Sequence, residues 1–176
     1  MDAKGQVLER LLKAHRAYFD VERDHAFAGR VFPGYAEFHT HGEQYVLVKR
    51  AKLWEVDSHQ YLFFDTVERL DMPLLDELVQ FMQAQALGKV KPKADHMSSD
   101  LGLILIADAV DDDVAAAVRK VRFRKNFKFG IHGWSDLIVA VVDLGRRRVV
   151  TNGAGKDMAG VLEANAFGVR EDDALR

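Results

Sequence analysis

The amino-acid sequence predicts a single α+β domain over residues 1–176, with a mainly antiparallel, mixed sheet of about six or seven strands and helices mostly on one face. Three observations point there. Apolar residues recur at helical spacing in several stretches, and short runs rich in Val, Ile, Tyr and Phe lie between them. The composition, 48% hydrophobic and 30% charged, is that of a folded globular chain. A length of 176 residues, with no internal repeat or low-complexity tract, suits one buried core.

The elements follow in order. Val7, Leu8, Leu11, Leu12, Tyr18 and Phe19 fall at helical spacing, with Glu9, Arg10, Lys13 and Arg16 between them, which predicts an amphipathic helix over about residues 5–22. Gly29, Pro33 and Gly34 then read as chain breakers. Residues 35–41 and 44–48 flank Gly42-Glu43, a type II′ hairpin signal that would pair Glu37 with Val48, His39 with Val46 and His41 with Gln44. Residues 53–56 and 60–67 continue the β pattern. Asp71, with Pro73 just inside, opens a helix to about Ala86, and Gly88 ends it. Residues 89–100 are the most polar connector.

Residues 101–107 and 137–142 are near-continuous apolar runs, the signature of strands buried on both faces. Asp111, Asp112 and Asp113 before an Ala/Val-rich segment, with Arg119-Lys120 closing it, match the dipole of a helix at both ends. Gly145-Arg146 turns the chain into residues 148–151, and a last helix covers about residues 155–164. The tail over about residues 168–176 reads as frayed.

With no cysteine, disulfides, thiolate zinc sites and cysteine nucleophiles are excluded. A net charge of −2 carries no general affinity for nucleic acid or an anionic bilayer, so such binding requires a local patch. The apolar runs are far too short to span a membrane, and the N-terminus lacks a secretory signal; the expected location is the cytosol.

Residues 119–128 supply such a patch. Arg119, Lys120, Arg122, Arg124, Lys125 and Lys128 lie within one short span that contains no acid. Val121, Phe123, Phe127 and Phe129 share one parity, and Arg122, Arg124, Asn126 and Lys128 share the other. An extended strand would then have a packed face and a cationic face. Interleaved phenylalanines and arginines resemble single-strand nucleic-acid surfaces, where bases stack on rings and cations hold phosphates. The competing expectation is a helix end that attracts cations, neutralised by the acids at 111–113.

His39 and His41 share a face about 6.6 Å apart along a strand, close enough to ligate one ion with a third ligand from Glu37, Glu55, Asp57 or His59. Asp108 and Asp143 each follow an apolar strand, where α/β proteins place carboxylates for magnesium or general-base work. Residues 151–157, Thr-Asn-Gly-Ala-Gly-Lys-Asp, lack the first glycine and the Ser/Thr of a phosphate loop. His132 and Trp134, set among Gly130 and Gly133, are candidates to line a small-molecule pocket.

Taken jointly, Tyr35-Ala-Glu-Phe-His, Tyr45-Val-Leu-Val-Lys, Lys52-Leu-Trp, Asp95-His-Met, Phe127-Lys-Phe-Gly, His132-Gly-Trp and Thr151-Asn-Gly-Ala-Gly-Lys are similar to a small prokaryotic family catalogued as a domain of unknown function. The resemblance covers roughly residues 18–163. It implies a cytosolic prokaryotic protein and carries over no activity and no site residue. In element order alone the chain also resembles restriction-endonuclease-like nucleases, but Asp65 is followed by Val67 where their motif has lysine.

The expected function is a non-catalytic binding or regulatory module, free to form a homo-oligomer, with an anion-binding surface at Arg119, Arg122, Phe123, Arg124 and Lys128. Its partner would be an anionic ligand or nucleic acid. The alternative is a metal-dependent hydrolase or nuclease using His39, His41, Glu55 or Asp57, and His59. The sequence assigns no cofactor and no catalytic residue.

Overall fold

The computed structural model describes residues 1–39, 57–90, 96–130 and 133–168. Helix α1 (Ala3–His15) starts where the Asp2 carboxylate accepts from the Gly5 amide at 2.8 Å. It buries Val7, Leu8, Leu11, Leu12 and His15, and ends there because the Tyr18 and Phe19 amides both turn back to the His15 carbonyl. The helical spacing of Tyr18 and Phe19 is therefore coincidental. From Asp20 the chain is extended.

Strands β1 (Asp20–Phe27) and β2 (Arg30–His39) form an antiparallel hairpin. Its two-residue turn, Ala28-Gly29, has φ of 49° and 79°, the left-handed pair of a type I′ hairpin. Pro33 and Gly34 lie within β2 instead of breaking it. Left-handed Asp24 (φ 49°) stands opposite Pro33, and this irregularity lets Phe32 and Tyr35, three residues apart, enter the same core. Gly34 is required by close approach: a Cβ there would lie 2.9 Å from Leu12 Cδ2.

Strand β3 (Asp57–Leu70) pairs antiparallel with β2. Glu37 thus has Asp20 on one side and Tyr61 on the other, which overturns its expected pairing with Val48. The turn at Gly42-Glu43 and residues 41–48 and 53–56 lie outside the described residues. Helix α2 (Met72–Ala84) is capped by Asp71, whose carboxylate accepts from the Leu74 amide at 3.0 Å, and a 3₁₀ turn (Ala86–Lys89) follows. Strand β4 (His96–Val110) then runs parallel to β3, so part of the polar connector is strand. Helix α3 (Asp112–Lys120), β5 (Arg124–Asn126), β6 (Trp134–Asp143), β7 (Arg148–Thr151), a 3₁₀ turn (Gly153–Met158) and α4 (Ala159–Phe167) complete the described chain.

Among the described residues this is one mixed seven-stranded sheet in the order β1-β2-β3-β4-β6-β5, with β7 on the far part of the same edge of β6 as β5. The expected strand number and mixed pairing hold. The centre, β3-β4-β6, is parallel, which is why residues 101–107 and 137–143 are buried throughout. The helices divide two and two, a correction to the expected one-sided arrangement. The crossovers β3-α2-β4 and β4-α3-β6 step the same way along the sheet, so handedness puts α2 and α3 on one face. Against the other face α1 and α4 pack on Leu62, Phe64, Ile104, Ile106, Ala140 and Val142. No helix among the described residues is long and apolar enough to cross a membrane.

Buried His15 gives this second core a pH dependence. Its Nδ1 donates to the Leu11 carbonyl at 2.7 Å, and burial pushes the imidazole below its ordinary range. The unfolded chain takes the proton first, so His15 contributes full stability above the ordinary histidine value of about 6.5 and loses it as the pH falls below that. Urea midpoints should drop between about pH 7 and 5. The expected result for His15→Gln is a shallower drop, and an unchanged slope would refute the assignment.

Candidate functional site

The basic stretch falls where α3 gives way to the sheet edge. Arg119 and Lys120 close α3, whose first turn holds Asp112 and Asp113. Residues 121–123 belong to no strand, although the Phe123 carbonyl accepts from the Leu137 amide at 3.2 Å, and β5 is three residues long. Val121, Phe123 and Phe127 pack against the α2–α3 core as their parity predicts. Phe129 departs from the pattern. Lys128 and Phe129 take left-handed φ of 45° and 55°, and the Phe129 ring is fully exposed at 104%.

The cations have distinct surroundings. Arg119 Nη1 donates to the Ala115 carbonyl at 3.3 Å, and Arg122 Nη1 caps the helix end through the Arg119 and Val121 carbonyls at 2.9 and 3.0 Å. Arg124 is bidentate to Asp136, 2.6 Å at each contact, and lies 5.4 Å from the centre of the Trp134 ring. The expected neutralisers serve other arginines, Asp111 with Arg69 and Asp112 with Arg146, each at 2.9 Å. Among the described residues, Arg124 is thus the one cation of the six held in an ion pair.

Arg122, Phe123 and Arg124 line a groove of about 540 Å³, walled opposite by Asn152, Gly153 and Ala154. A Cβ on Gly153 would lie 3.7 Å from the Arg122 guanidinium carbon. Two separate sequence features, the basic stretch and the glycine loop, therefore face each other. Asn152 holds them together: its Oδ1 accepts from the Val139 and Gly155 amides, both at 3.1 Å, and its Nδ2 donates to the Leu137 and Val121 carbonyls at 2.8 and 3.3 Å.

Other candidates fare differently. His39 and His59 are direct partners across the β2–β3 ladder, and the His59 ring lies 6.4 Å from that of Tyr61. His41, Glu55 and His132 lie outside the described residues, and so do the side chains of His39 and Asp57. Trp134 opens β6 with its ring on Arg124. Asp143 and Asp108 do not converge. Asp143 is buried beside Arg148 and Arg146 on the α3 side, and Asp108 takes Lys4 of α1 on the other face.

A second polar centre has no counterpart in the sequence reading. Lys89 Nζ lies 3.2 Å from both His25 Nε2 and the Tyr35 hydroxyl, Tyr35 donates to Glu37 at 2.7 Å, and His25 Nδ1 meets Glu22 at 2.5 Å. The donor order places the His25 proton on Nδ1, because the ammonium has only hydrogens to offer. His25 stacks on Tyr35 at 3.9 Å, and Lys89 lies 4.3 Å from the Tyr35 ring centre and 5.2 Å from that of Phe27. Burial, then the Glu37 carboxylate, pushes the Tyr35 phenol far above its ordinary value and keeps it protonated. The centre pins the 3₁₀ turn after α2 onto the β1–β2 hairpin. Its signal was the alternation of His25 with Phe27 and of Tyr35 with Glu37, which shows only once residues 20–27 are read as a strand.

A family model described as a domain of unknown function (DUF8052) matches residues 3–164. The family resemblance read from the sequence is thereby borne out, and it extends back through α1. No curated protein and no solved structure matches the chain.

Proposed function

We propose that this chain, which belongs to the DUF8052 family, is a non-catalytic binding module that holds an anionic partner where α3 meets β5. One observation carries the reading: of six cations within ten residues, Arg124 alone has a carboxylate partner among the described residues. The remaining charge is local on a chain of net charge −2, so it is a directed feature. Single-stranded nucleic acid is the polyanion that suits it best, because the exposed Phe129 ring offers a stacking surface in the same short span as the exposed Lys125 and Lys128. Phe123, half-buried against the core, serves as groove wall instead. A cytosolic prokaryotic protein that self-associates is compatible with this role.

The exposed lysines are the residues to change, since Arg122 and Arg124 also hold the fold. The triple variant Lys120→Ser/Lys125→Ser/Lys128→Ser is expected to weaken binding of a fluorescent single-stranded oligonucleotide on the order of 30-fold and to flatten its log–log salt slope by about two. Phe129→Ala should weaken the oligonucleotide but leave heparin, which has no bases, unchanged. Binding and salt slope equal to wild type in the triple variant would refute the reading.

A further inference from the structure

A single half-buried side chain ties the 3₁₀ turn after α2 to the β1–β2 hairpin. Both shoulders of the turn are fixed in the α2–α3 core, Ala86 with no exposure and Val90 at 6%. Between them the Val90 amide donates to the Leu87 carbonyl at 3.1 Å and closes the turn over Gly88 and Lys89. The Lys89 ammonium then bridges to the hairpin, 3.2 Å from His25 Nε2 on β1 and from the Tyr35 hydroxyl on β2.

This bridge requires a neutral imidazole. An ammonium only donates, so His25 Nε2 is the acceptor and Nδ1–H serves Glu22. The ring meets Glu22 from its own strand, Tyr35 and, through the Tyr35 hydroxyl, Glu37 from β2, the Phe63 ring from β3 and Lys89 from the turn. Lys89 is the one positive charge in that set. The two carboxylates suit an imidazolium as well as an imidazole, whereas a proton on Nε2 removes the acceptor and sets two positive groups 3.2 Å apart. His25 keeps 13% of its side chain exposed, so a proton from water reaches it. The stack on Tyr35 and the Glu22 contact hold the ring, which leaves Lys89 as the partner that moves.

We propose that His25 and Lys89 form a pH-sensitive latch between the end of α2 and the β1–β2 hairpin. Neutral His25 seats Lys89, and the turn stays closed against the hairpin. Protonated His25 expels Lys89, and the turn opens locally while its buried shoulders keep α2 in place. The latch is therefore shut above the titration of His25 and released as the pH falls through it. It draws on no residue of the α3–β5 surface, so it stands or falls separately.

Amide hydrogen exchange of the full chain, followed by NMR between about pH 8 and 5, reads the latch at the Val90 amide, and the Cε1 proton of His25 reports its titration in the same samples. The expected result is a fall in Val90 protection factor of at least about tenfold, with the midpoint of the His25 curve. Lys89→Met removes the charge and keeps the chain length, and its Val90 protection should show no step. His25→Phe keeps a ring on Tyr35 and should show none either. His15→Gln should keep the step, because His15 lies in the core of the opposite face. Constant protection while His25 titrates, a His25 that does not titrate above about pH 5, or a step that survives Lys89→Met or vanishes in His15→Gln would each overturn the proposal.

Discussion

Asp143→Ala is expected to destabilise the protein by about 3 kcal/mol, at the low end of the 3–5 kcal/mol typical when one partner of a buried ion pair is removed. Asp143 ends β6 with no solvent exposure and faces Arg148, its register partner on β7. It accepts from Arg148 Nε at 3.0 Å and from the Arg146 amide at 3.2 Å, with the Arg146 guanidinium 3.6 Å away. Arg148 Nη2 is already buried without a partner, so loss of the carboxylate leaves Nε without one as well. The side chain is 32% exposed, and this access to water keeps the cost near the lower bound.

Two companions make the test decisive. Asp108→Ala removes the more exposed carboxylate that meets Lys4 and should cost less than about 1 kcal/mol. The double variant Asp143→Leu/Arg148→Leu should recover most of the loss, since an apolar pair tolerates burial where a lone charge does not. Equal urea midpoints for Asp143→Ala and Asp108→Ala would refute the assigned role. The strand-end position that suggests a magnesium ligand is here a charge that closes the β6–β7 turn.

How much of this is legible in the residues depends on where each element sits. The central strands β4 and β6 announce themselves because parallel strands covered on both faces need unbroken apolar runs. α2 and α3 announce themselves through acids at their N-termini, with Pro73 in the first turn of α2. β1 does not. Asp20–Phe27 reads Asp-Val-Glu-Arg-Asp-His-Ala-Phe, and an edge strand tolerates that charge because one side of it faces water. Its turn, Ala28-Gly29, lacks the Asn-Gly signature, and Pro33-Gly34 imitates a chain break inside β2. Losing β1 hides the Tyr35–His25–Lys89 centre, whose members approach only through the β1–β2 register.

The candidate surface shows the same division. Its charge is visible in the residue string. What each cation does is set by partners the string does not mark, such as Asp136, twelve residues beyond Arg124. Phe129 leaves the packed face because of two left-handed residues that no local motif announces. The two-and-two division of helices is equally hidden, since α1 and α4 belong to no crossover and no handedness rule places them.

Asn152→Ala is expected to cost on the order of 3–4 kcal/mol, because the buried Val139 N–H and Leu137 C=O lose their partner at once, while the Gly155 amide and the Val121 carbonyl keep the Asn152 carbonyl and Arg122. β5 and β7 share one edge of β6 and leave a gap between them, over Leu137 to Val139. Asn152, 2% exposed, fills that gap with its side chain and with its own amide, which donates to the Val139 carbonyl at 3.0 Å. Without the amide side chain, the Val139 N–H and Leu137 C=O face an apolar void. Asn152→Asp should do no better, since a second oxygen would confront the Leu137 and Val121 carbonyls and bring a charge into the core. The same substitution should reach function. Asn152 fixes Gly153 opposite Arg122, so at temperatures where Asn152→Ala is still folded, oligonucleotide binding should weaken while the salt slope stays near wild type, because every cation remains. A variant as stable as wild type, or one that binds unchanged when folded, would show that the groove does not depend on this clamp.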